Sequence, residues 1–459
     1  MLDIIITLAQ AFHAQQKQLY MVGGTVRDVL LHRGKSADAD LATDAHPSEI
    51  KRLVAPTQPG AVVLVGERFG TVRLHYDANI VEITTFRSER YNPESRKPEV
   101  CFGTNLEEDL RRRDFTINAM ARDPLDGHII DPFGGRRDLS AHILRAVGEE
   151  PNKRFDEDPL RLLRAVRFAA QLDFTIEPET QRSIERQAAK LQKISRERIR
   201  DEMNKLLVSG HPYKGLNLLV ELGLMEWIVP ELLESRGESQ QVQPTRAPHT
   251  KDIYSHILRV VERSSPRLKT RWAALLHDIA KPRTKTIKDN EIHFFGHEDI
   301  GAYIARDVLK RLHFDRDFIE SVSKLVHLHM RTNAYMPEWT DGAVRRLMID
   351  SGDDLQDLLD LSRADITSYR TDKVNRASAR VTELAERCQR LKEEAERLPL
   401  KSPLDGNELM KMFGRGPGPW LRPIKDHLLG MVIDGQLSPE NKEEATRIAR
   451  KLMDSQQNE

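Results

Sequence analysis

Two glycines, Gly23 and Gly24, close a short apolar run in MVGGTVRDVLLHRGKSADADLATDA (21–45), and some fourteen residues later stand two aspartates one residue apart, Asp38 and Asp40. Side chains along a strand alternate between faces, so Asp38 and Asp40 are expected to point the same way. Two like charges held that close call for a compensating cation. Oxygen-only ligands favour Mg²⁺ or Mn²⁺, ions that also bridge phosphates. Glu82, set between Val81 and Ile83 in NIVEITTF, is placed to add a third carboxylate from a neighbouring strand. The glycines let a backbone approach a triphosphate closely, and the following helix VRDVLL offers its N-terminus. Arg27, on that helix's first turn, can pair with a phosphate oxygen. A glycine pair before a helix is usually just a turn, and a D-x-D is usually a solvated loop or a cap. Together, in this order and at this distance, they indicate a site for metal-bound phosphates.

Two further constellations carry chemistry. In FDEDPLRLLRAVRFAAQ (155–171), Arg161, Arg164 and Arg167 recur every three residues and share roughly one helical stripe, with Asp158 one turn before Arg161. Such a stripe is commonly a surface ladder of charges. Here it lies beside Leu162, Leu163, Val166 and Phe168, and guanidiniums fixed beside a buried surface suggest an anionic ligand. Farther on come His256 in YSHILRVVE, the adjacent His277 and Asp278 in WAALLHDIAK, His297 in FFGHEDIGA, His327 and His329 in LVHLHMR, and Asp365 in LSRADITSY. A lone histidine on an apolar helix is more often a core residue than a ligand. Imidazoles and carboxylates clustered on successive helices are what a one- or two-metal hydrolase uses.

The elements that must position these residues change character along the chain. LYMVGG, ADLAT, AVVLVG, TVRLHY and NIVEITTF read as strands in the first 135 or so residues. From about Asp138 the apolar residues recur at three and four, as in PLRLLRAVRFAAQL and ETQRSIERQAAKLQKI, and strands almost vanish. The polar stretch SRGESQQVQPTRAPH (235–249) reads as a linker or surface loop, a second break falls at 399–409, and GRGPGPW is a third. The expected class is α+β: a head with a small mixed sheet over 1–137, then all-helical segments over 138–235, 250–395 and 396–459. At 459 residues two to four domains are expected, and 71 basic against 71 acidic residues leave no net charge to advertise a polyanionic partner. Two cysteines, Cys101 and Cys388, are too few for a disulfide framework or a thiolate metal site. The start MLDIIITLAQAFHAQ lacks a basic leader and a small-residue cleavage site, and no apolar run approaches a membrane span, so a cytoplasmic protein is expected.

GG(T)VRD, then D-x-D, then DLRRRDFTINAMA (109–121) and EDPLRLLRAVRF together resemble the nucleotidyltransferases of the polymerase-β superfamily. More narrowly they resemble the class II tRNA nucleotidyltransferases and the bacterial poly(A) polymerases, from about residue 18 to the end of the chain. The resemblance implies a polymerase-β-like head, a helical neck, a body and a tail. It implies that Asp38 and Asp40 hold two Mg²⁺ ions, one activating an RNA 3′-hydroxyl and one neutralising the leaving pyrophosphate. Gly24 and Arg27 would contact the triphosphate, Arg113 would bind nucleotide, and Asp109 and Asp114 would order the turn between head and neck. Glu157, Asp158 and Arg161 would form the motif that reads the base edge. Asp158 would accept from the exocyclic amine that C and A carry and U and G lack, with Arg164 and Arg167 completing the pocket. CTP and ATP would thus be added to tRNA without a nucleic-acid template.

SERYNPESRKPEVCFG (88–103) stands where the family has a flexible loop that helps the switch from C to A addition. The polymerases carry G-R-R-F-R where this chain reads VGERFGTVRL (65–74), and the tail LDGNELMKMFGRGPGPWLRPIKDHLLGMVIDGQL resembles the tRNA-binding tail of the class II enzymes. CCA addition is therefore favoured over polyadenylation, with addition of CC or A alone left open. The pattern His256, His277–Asp278, Asp365 resembles the HD phosphohydrolase superfamily. It implies a second divalent or transition-metal site in the body that removes phosphate from RNA 3′ ends, with His297 and His327 as added ligands if dinuclear. A remaining alternative is an RNA 3′-end phosphohydrolase whose head is inactive.

Overall fold

A computed structural model of the chain describes residues 1–33, 38–65, 70–90, 99–103, 105–238, 252–289, 291–367, 371–397 and 400–456. These separate into two compact units, Met1–Ile228 and Val229–Glu459. The class is α+β, with the main sheet in the first unit and mostly helices elsewhere.

The first unit is built on β1 (Leu19–Val22), β2 (Asp38–Thr43), β3 (Ala61–Val65), β4 (Thr71–Tyr76) and β5 (Asn79–Thr85), joined by the two-residue β8 (Ala121–Arg122) and β9 (Ile129–Ile130). Strand order is β3-β4-β5-β2-β1-β8-β9. β2 and β5 run parallel and their neighbours antiparallel, so the sheet is mixed. The alternation of DADLAT decides what β2 shows to each face: Ala39 and Leu41 are buried, whereas Asp38 and Asp40 are exposed. Val72 and Leu74 of β4 and Val81 and Ile83 of β5 are likewise fully buried. Helices Leu2–His13 and Pro47–Val54 bury Ile5, Leu8 and Phe12 and Ile50, Leu53 and Val54 in the same unit. The aspartate-bearing face of β2 closes farther along, where Ala42 joins Val22, Phe86, Leu110 and Ala121 in a core cluster. Asp38 and Asp40 thus sit at the open end of a face that is covered beyond them.

One sequence expectation changes here. The ends of the 88–103 segment are backbone-paired: β6 (Arg87–Arg90) and β7 (Glu99–Phe102) run antiparallel, Arg87 opposite Phe102, while residues 91–98 lie outside the described residues. The helix Leu106–Arg111 stops, and a single 3₁₀ turn, Thr116–Asn118, follows the buried Asp114 and Phe115.

Helices complete this unit. Pro151–Glu157 and Leu160–Leu172 are separate, broken at Asp158–Pro159, because proline disfavours helical geometry in the residue before it. Leu160–Leu172 packs against Arg196–Leu207 and Pro212–Glu221.

In the second unit, helix Leu268–Leu276 is buried on every side from Thr270 to Leu276, as an apolar helix at the centre of a bundle must be. Ile253–Arg263, Arg316–Asn333 and Leu355–Asp365 pack against it. A short hairpin, Thr286–Lys288 with Glu291–His293, leads into His297–Arg311. Thr371–Arg397 follows, and then Gly406–Phe413, Leu421–Ile433 and Lys442–Gln456, whose core is Leu409, Ile424, Leu428, Val432, Ala445 and Met453. No helix among the described residues is long and apolar enough to cross a membrane.

Candidate active site and metal centre

The register of the sheet draws the opening motif together. Met21 pairs with Leu41, so the end of β1 runs beside Asp40, and the Asp40 amide donates to the Thr25 hydroxyl at 2.9 Å. Gly23 has φ of 65° and caps the seven-residue helix Gly24–Leu30. Its positive φ favours glycine, and a Cβ there would lie 2.8 Å from the Arg113 guanidinium and displace it. Asp40 lies opposite Glu82 across the parallel pair, and Glu82 lies opposite Arg73. Arg73 donates to Glu82 Oε1 at 2.8 Å, so the charge of Glu82 is already matched. Desolvation by the surrounding protein raises the Asp40 carboxyl above its usual range. Arg113 opposes that shift, and the negative charges of Glu82 and Asp38 add to it.

A cavity of about 600 Å³ is lined by Gly23, Gly24, Arg27, Asp40, Arg113, Asp158, Arg161, Arg164 and Arg167. The arginines are held rather than loose. Arg27 donates to Asp28 at 2.8 Å and to Asn118 at 2.8 Å, and lies over the Phe168 ring. Arg113 and Arg112 share the buried Asp109 at 3.1 and 3.0 Å. Burial alone would raise the Asp109 carboxyl, but the two guanidiniums outweigh it and lower it. Arg164 donates to Asp114 at 2.8 Å, and Asn118 to the same carboxylate at 3.0 Å. Burial would raise Asp114 too, yet these partners hold it down at about 2. Arg167, packed on Phe168, pairs with Glu202 at 2.8 Å, both buried. Desolvation brings Arg167 down to about 10 against the pull of Glu202. Arg161 spends one Nη on Glu157 (2.7 Å) and the Arg154 carbonyl (3.0 Å) and the other on the Arg112 carbonyl (2.7 Å). Asp158 accepts from the Leu160 amide at 3.1 Å and from Arg198 at 2.8 Å.

The histidines of the second unit converge on one carboxylate. Asp278 Oδ2 lies 3.2 Å from His256 Nε2 and 3.3 Å from His277 Nε2, and Oδ1 lies 3.5 Å from His297 Nε2 and 3.9 Å from His329 Nε2. Asp365 Oδ1 joins the first half, 3.0 Å from His256 and 3.6 Å from His277. Each Nδ1 is anchored outward. His277, His297 and His329 meet the carbonyls of Ala274, Phe294 and Val326 at 2.9, 2.7 and 2.6 Å, and His256 meets the Thr367 hydroxyl at 2.9 Å. Nδ1–H donation to a carbonyl fixes the tautomer that leaves Nε2 as a ligand atom, and Asn333 holds the other oxygen of Asp365 at 2.6 Å. Among the described residues neither Asp278 oxygen has a well-aligned hydrogen-bond donor, although the Lys281 ammonium stands 2.7 Å from Oδ2. A buried carboxylate ringed by inward-facing imidazole nitrogens forms a donor set that fits a divalent ion. Two candidate groups share Asp278: His256–His277–Asp278 and Asp278–His297–His329. Burial would lower His277, but Asp278 and Asp365 overcome it and push it up to about 10. Burial and the His277 charge bring His329 down to about 4.

Residues 19–145 match the poly A polymerase head domain, 173–235 a probable RNA and SrmB-binding site of polymerase A, and 249–393 the HD domain. The CCA-adding enzyme of Lactobacillus johnsonii is 48% identical over 210 residues, which is 46% of this chain and 51% of that protein. The Bacillus subtilis CCA-adding enzyme is 42% identical over 226 residues, 49% of this chain and 54% of that one. The chain spans about half the length of the curated relatives it matches. The crystal structure of the Bacillus stearothermophilus CCA-adding enzyme in complex with CTP covers 98% of this chain and 97% of its own, with a TM-score of 0.69 and 26% identity. Over about half of its length the chain is thus similar to CCA-adding enzymes, and it carries a head, an RNA-binding and an HD match in that order. The fold also matches a Thermotoga maritima CCA-adding enzyme complexed with tRNA, at a TM-score of 0.57 and 19% identity over 98% of this chain and 95% of that one. The match to a poly A polymerase head domain implies use of a divalent metal.

The structure gathers the glycines, Asp40, Arg113, Arg161, Arg164 and Arg167 at one cavity. Asp38 and Glu82 are not among its lining residues, though both lie on the face or register of Asp40. One expected ligand is replaced. His327 is half-exposed and pairs with Asp299 at 2.9 Å, while His329, 2% exposed, takes the place beside His297. Residues two apart on a helix face nearly opposite ways, so only one could face inward. The apolar stripe Val322, Leu325, Val326 carries His329, not His327, to the buried side, a signal present in the sequence. Sequence reasoning also missed Asn118, Arg198 and Lys205 at the cavity and Asn333 behind Asp365. Arg198 and Lys205 stand seven apart on helix Arg196–Leu207, a spacing that puts both on one face.

Proposed function

We propose that this chain is a template-independent nucleotidyltransferase that builds or repairs the 3′-terminal CCA of tRNA from CTP and ATP in the cytoplasm. The observation that carries the reading is the single cavity. Its wall holds phosphate-seating glycines, the aspartate of a metal pair, a ring of fixed arginines, and an aspartate–arginine pair suited to a base edge. Asp38 and Asp40 would hold Mg²⁺, which supplies neutralisation of phosphate charge and a more acidic 3′-hydroxyl. Glu82 backs that pair from β5, its own charge tempered by Arg73. Gly23 and Gly24 leave room for the triphosphate, and Arg27, Arg113, Arg164 and Arg167 balance its charge without reorganising, because Asn118, Asp109, Asp114 and Glu202 already fix them. Asp158 accepts from the exocyclic amine of C or A. Arg161, with donors to spare beyond Glu157 and the two carbonyls, meets the ring nitrogen and carbonyl positions. The names of the relatives support CCA addition over polyadenylation. Incubation of a tRNA lacking CCA with each labelled nucleotide in turn tests this. Incorporation of C and A but not U or G is expected, and equal use of U would contradict it.

The second cluster supports a second activity in the same chain. His256, His277, Asp278 and Asp365 would hold one divalent or transition-metal ion, and His297 and His329, through the shared Asp278, another. Such ions supply an activated water and a clamp on phosphate oxygens for removal of phosphate from an RNA 3′ end.

A further inference from the structure

Outside the histidine cluster lies a cavity of about 930 Å³, and its lining is cationic. His256 and Asp365 of the cluster and Lys281 beside it are among its lining residues, and Lys373, Arg376 and Arg380 line it from the helix Thr371–Arg397. Positions 373, 376 and 380 are spaced three and four apart, so the three cations form one stripe, about 10 Å long at 1.5 Å per residue. Several arginines elsewhere in this unit are matched by carboxylates, as in Arg267 with Asp357 and Asp360, Arg283 with Glu234, Arg311 with Glu231 and Arg346 with Asp434. Lys373, Arg376 and Arg380 have no carboxylate partner among the described residues. Arg376 donates to the Asp372 carbonyl at 3.2 Å, and Arg380 rests against the Met336 sulfur at 3.3 Å. Lys373 and Arg376 are exposed and Arg380 half-buried, so a cationic stripe with no carboxylate beside it is open to an external anion in the cavity.

We infer that Lys373, Arg376 and Arg380 form a track for the single-stranded 3′-terminal stretch of an RNA whose phosphate-bearing end reaches the histidine–aspartate cluster. A stripe about 10 Å long meets two or more successive phosphates of a strand rather than the one phosphate of a small ester. The second site therefore takes polynucleotide ends in preference to mononucleotides. The inference rests on the phosphohydrolase reading of the cluster and goes beyond it in naming what holds the rest of the substrate. Contacts to phosphate position a strand without reading its sequence, so the track is indifferent to base identity.

The test uses the full chain and the R376A/R380A variant, with Mn²⁺ or Ni²⁺ supplied. One substrate is a five-nucleotide RNA ending in a 2′,3′-cyclic phosphate, and the other is bis(p-nitrophenyl) phosphate, a diester with no strand attached. The variant is expected to raise KM for the RNA roughly tenfold with kcat and the small diester unchanged, and R376K/R380K is expected to restore it. Binding of a labelled five-nucleotide RNA with a 3′-phosphate is measured in chelator across a salt series. The variant should weaken it and flatten the slope of log affinity against log salt by about 1.4, or about 0.7 for each phosphate no longer neutralised. Association constants of the two units add, so the first unit's constant, taken from competition of the labelled RNA by excess CTP and ATP, is subtracted at each salt concentration before the slopes are compared. Unchanged KM, affinity and slope would overturn the track. Parallel loss of both substrates would also overturn it, because the stripe would then act on the metal cluster. If the wild-type chain hydrolyses neither substrate, the phosphohydrolase reading fails, and the binding slopes alone retain or remove the track.

Discussion

Asp158 is asked to read a base while already bonded twice, to the Leu160 amide through Oδ1 and to Arg198 through Oδ2. Each carboxylate oxygen keeps a second lone pair, so these bonds set its direction without using up its capacity. Arg198 is then a positioning residue. Arg198→Ala should lower discrimination of C and A against U roughly tenfold, about the worth of one charge-assisted hydrogen bond, with tRNA affinity unchanged and Arg198→Lys restoring part of the loss. The ratios of kcat/KM for the four nucleotides measure it, and unaltered ratios would remove the role. Asp38→Ala and Asp40→Ala should each reduce nucleotide addition by roughly a thousandfold or more, while tRNA binding in a filter assay holds. Unimpaired addition would sink the metal assignment. At this scale the sequence was legible wherever types and spacing alone carry chemistry, as in Gly23, Asp40 and the Arg161–Arg164–Arg167 stripe. It was silent on partners brought from far along the chain. Nothing near Asp158 announces Arg198, forty residues on, and choosing His329 over His327 required the helix face, not the motif.

The helix Leu160–Leu172 carries Arg164 and Arg167 on a stripe beside a buried surface, so its electrostatics are also its stability. Glu202→Ala would leave Arg167 buried without its counter-ion. The expected cost is roughly 3 to 5 kcal/mol, read from denaturant unfolding, because an unpaired buried charge is worse than an apolar replacement of the pair. Joint replacement by Arg167→Met and Glu202→Leu should recover most of that stability. Asp114 ties the 3₁₀ turn to this helix through Arg164, and its folded carboxyl titrates at about 2 against an ordinary value of 3.8. A carboxyl depressed on folding favours the folded state above the unfolded value. That contribution, about 2 kcal/mol, is full above about pH 4 and lost as pH falls toward 2. Asp114→Asn should flatten the acid limb of the stability curve, and an unchanged acid midpoint would count against the pairing. Five strand expectations matched observed strands within a residue or two, because β-branched runs between glycine and asparagine turns leave little choice. The pairing of β6 with β7 was not legible, since SERYNPESRKPEVCF has neither alternation nor a tight turn.

For the whole molecule the account places two chemistries in two compact units, nucleotide addition within Met1–Ile228 and phosphate removal within Val229–Glu459. They should therefore separate by mutation. Asp40→Ala should keep hydrolysis of a 2′,3′-cyclic phosphate, and His277→Ala should keep addition; loss of both functions in either variant would contradict the division. The change from strands to helices was legible in the shift from period two to period three and four near Asp138. The compact division at 228–229 was not, because Trp227 to Pro230 carries no turn or linker composition to mark it. The central claim is that one protein-built cavity adds C, C and A and then stops. A tRNA transcript prepared without CCA, ending in C-C, and complete, incubated with labelled CTP and ATP and Mg²⁺ and sized to the nucleotide, tests it most directly. The account predicts growth by C, C and A on the first, a single A on the second and none on the third. An unbounded ladder of A would contradict it.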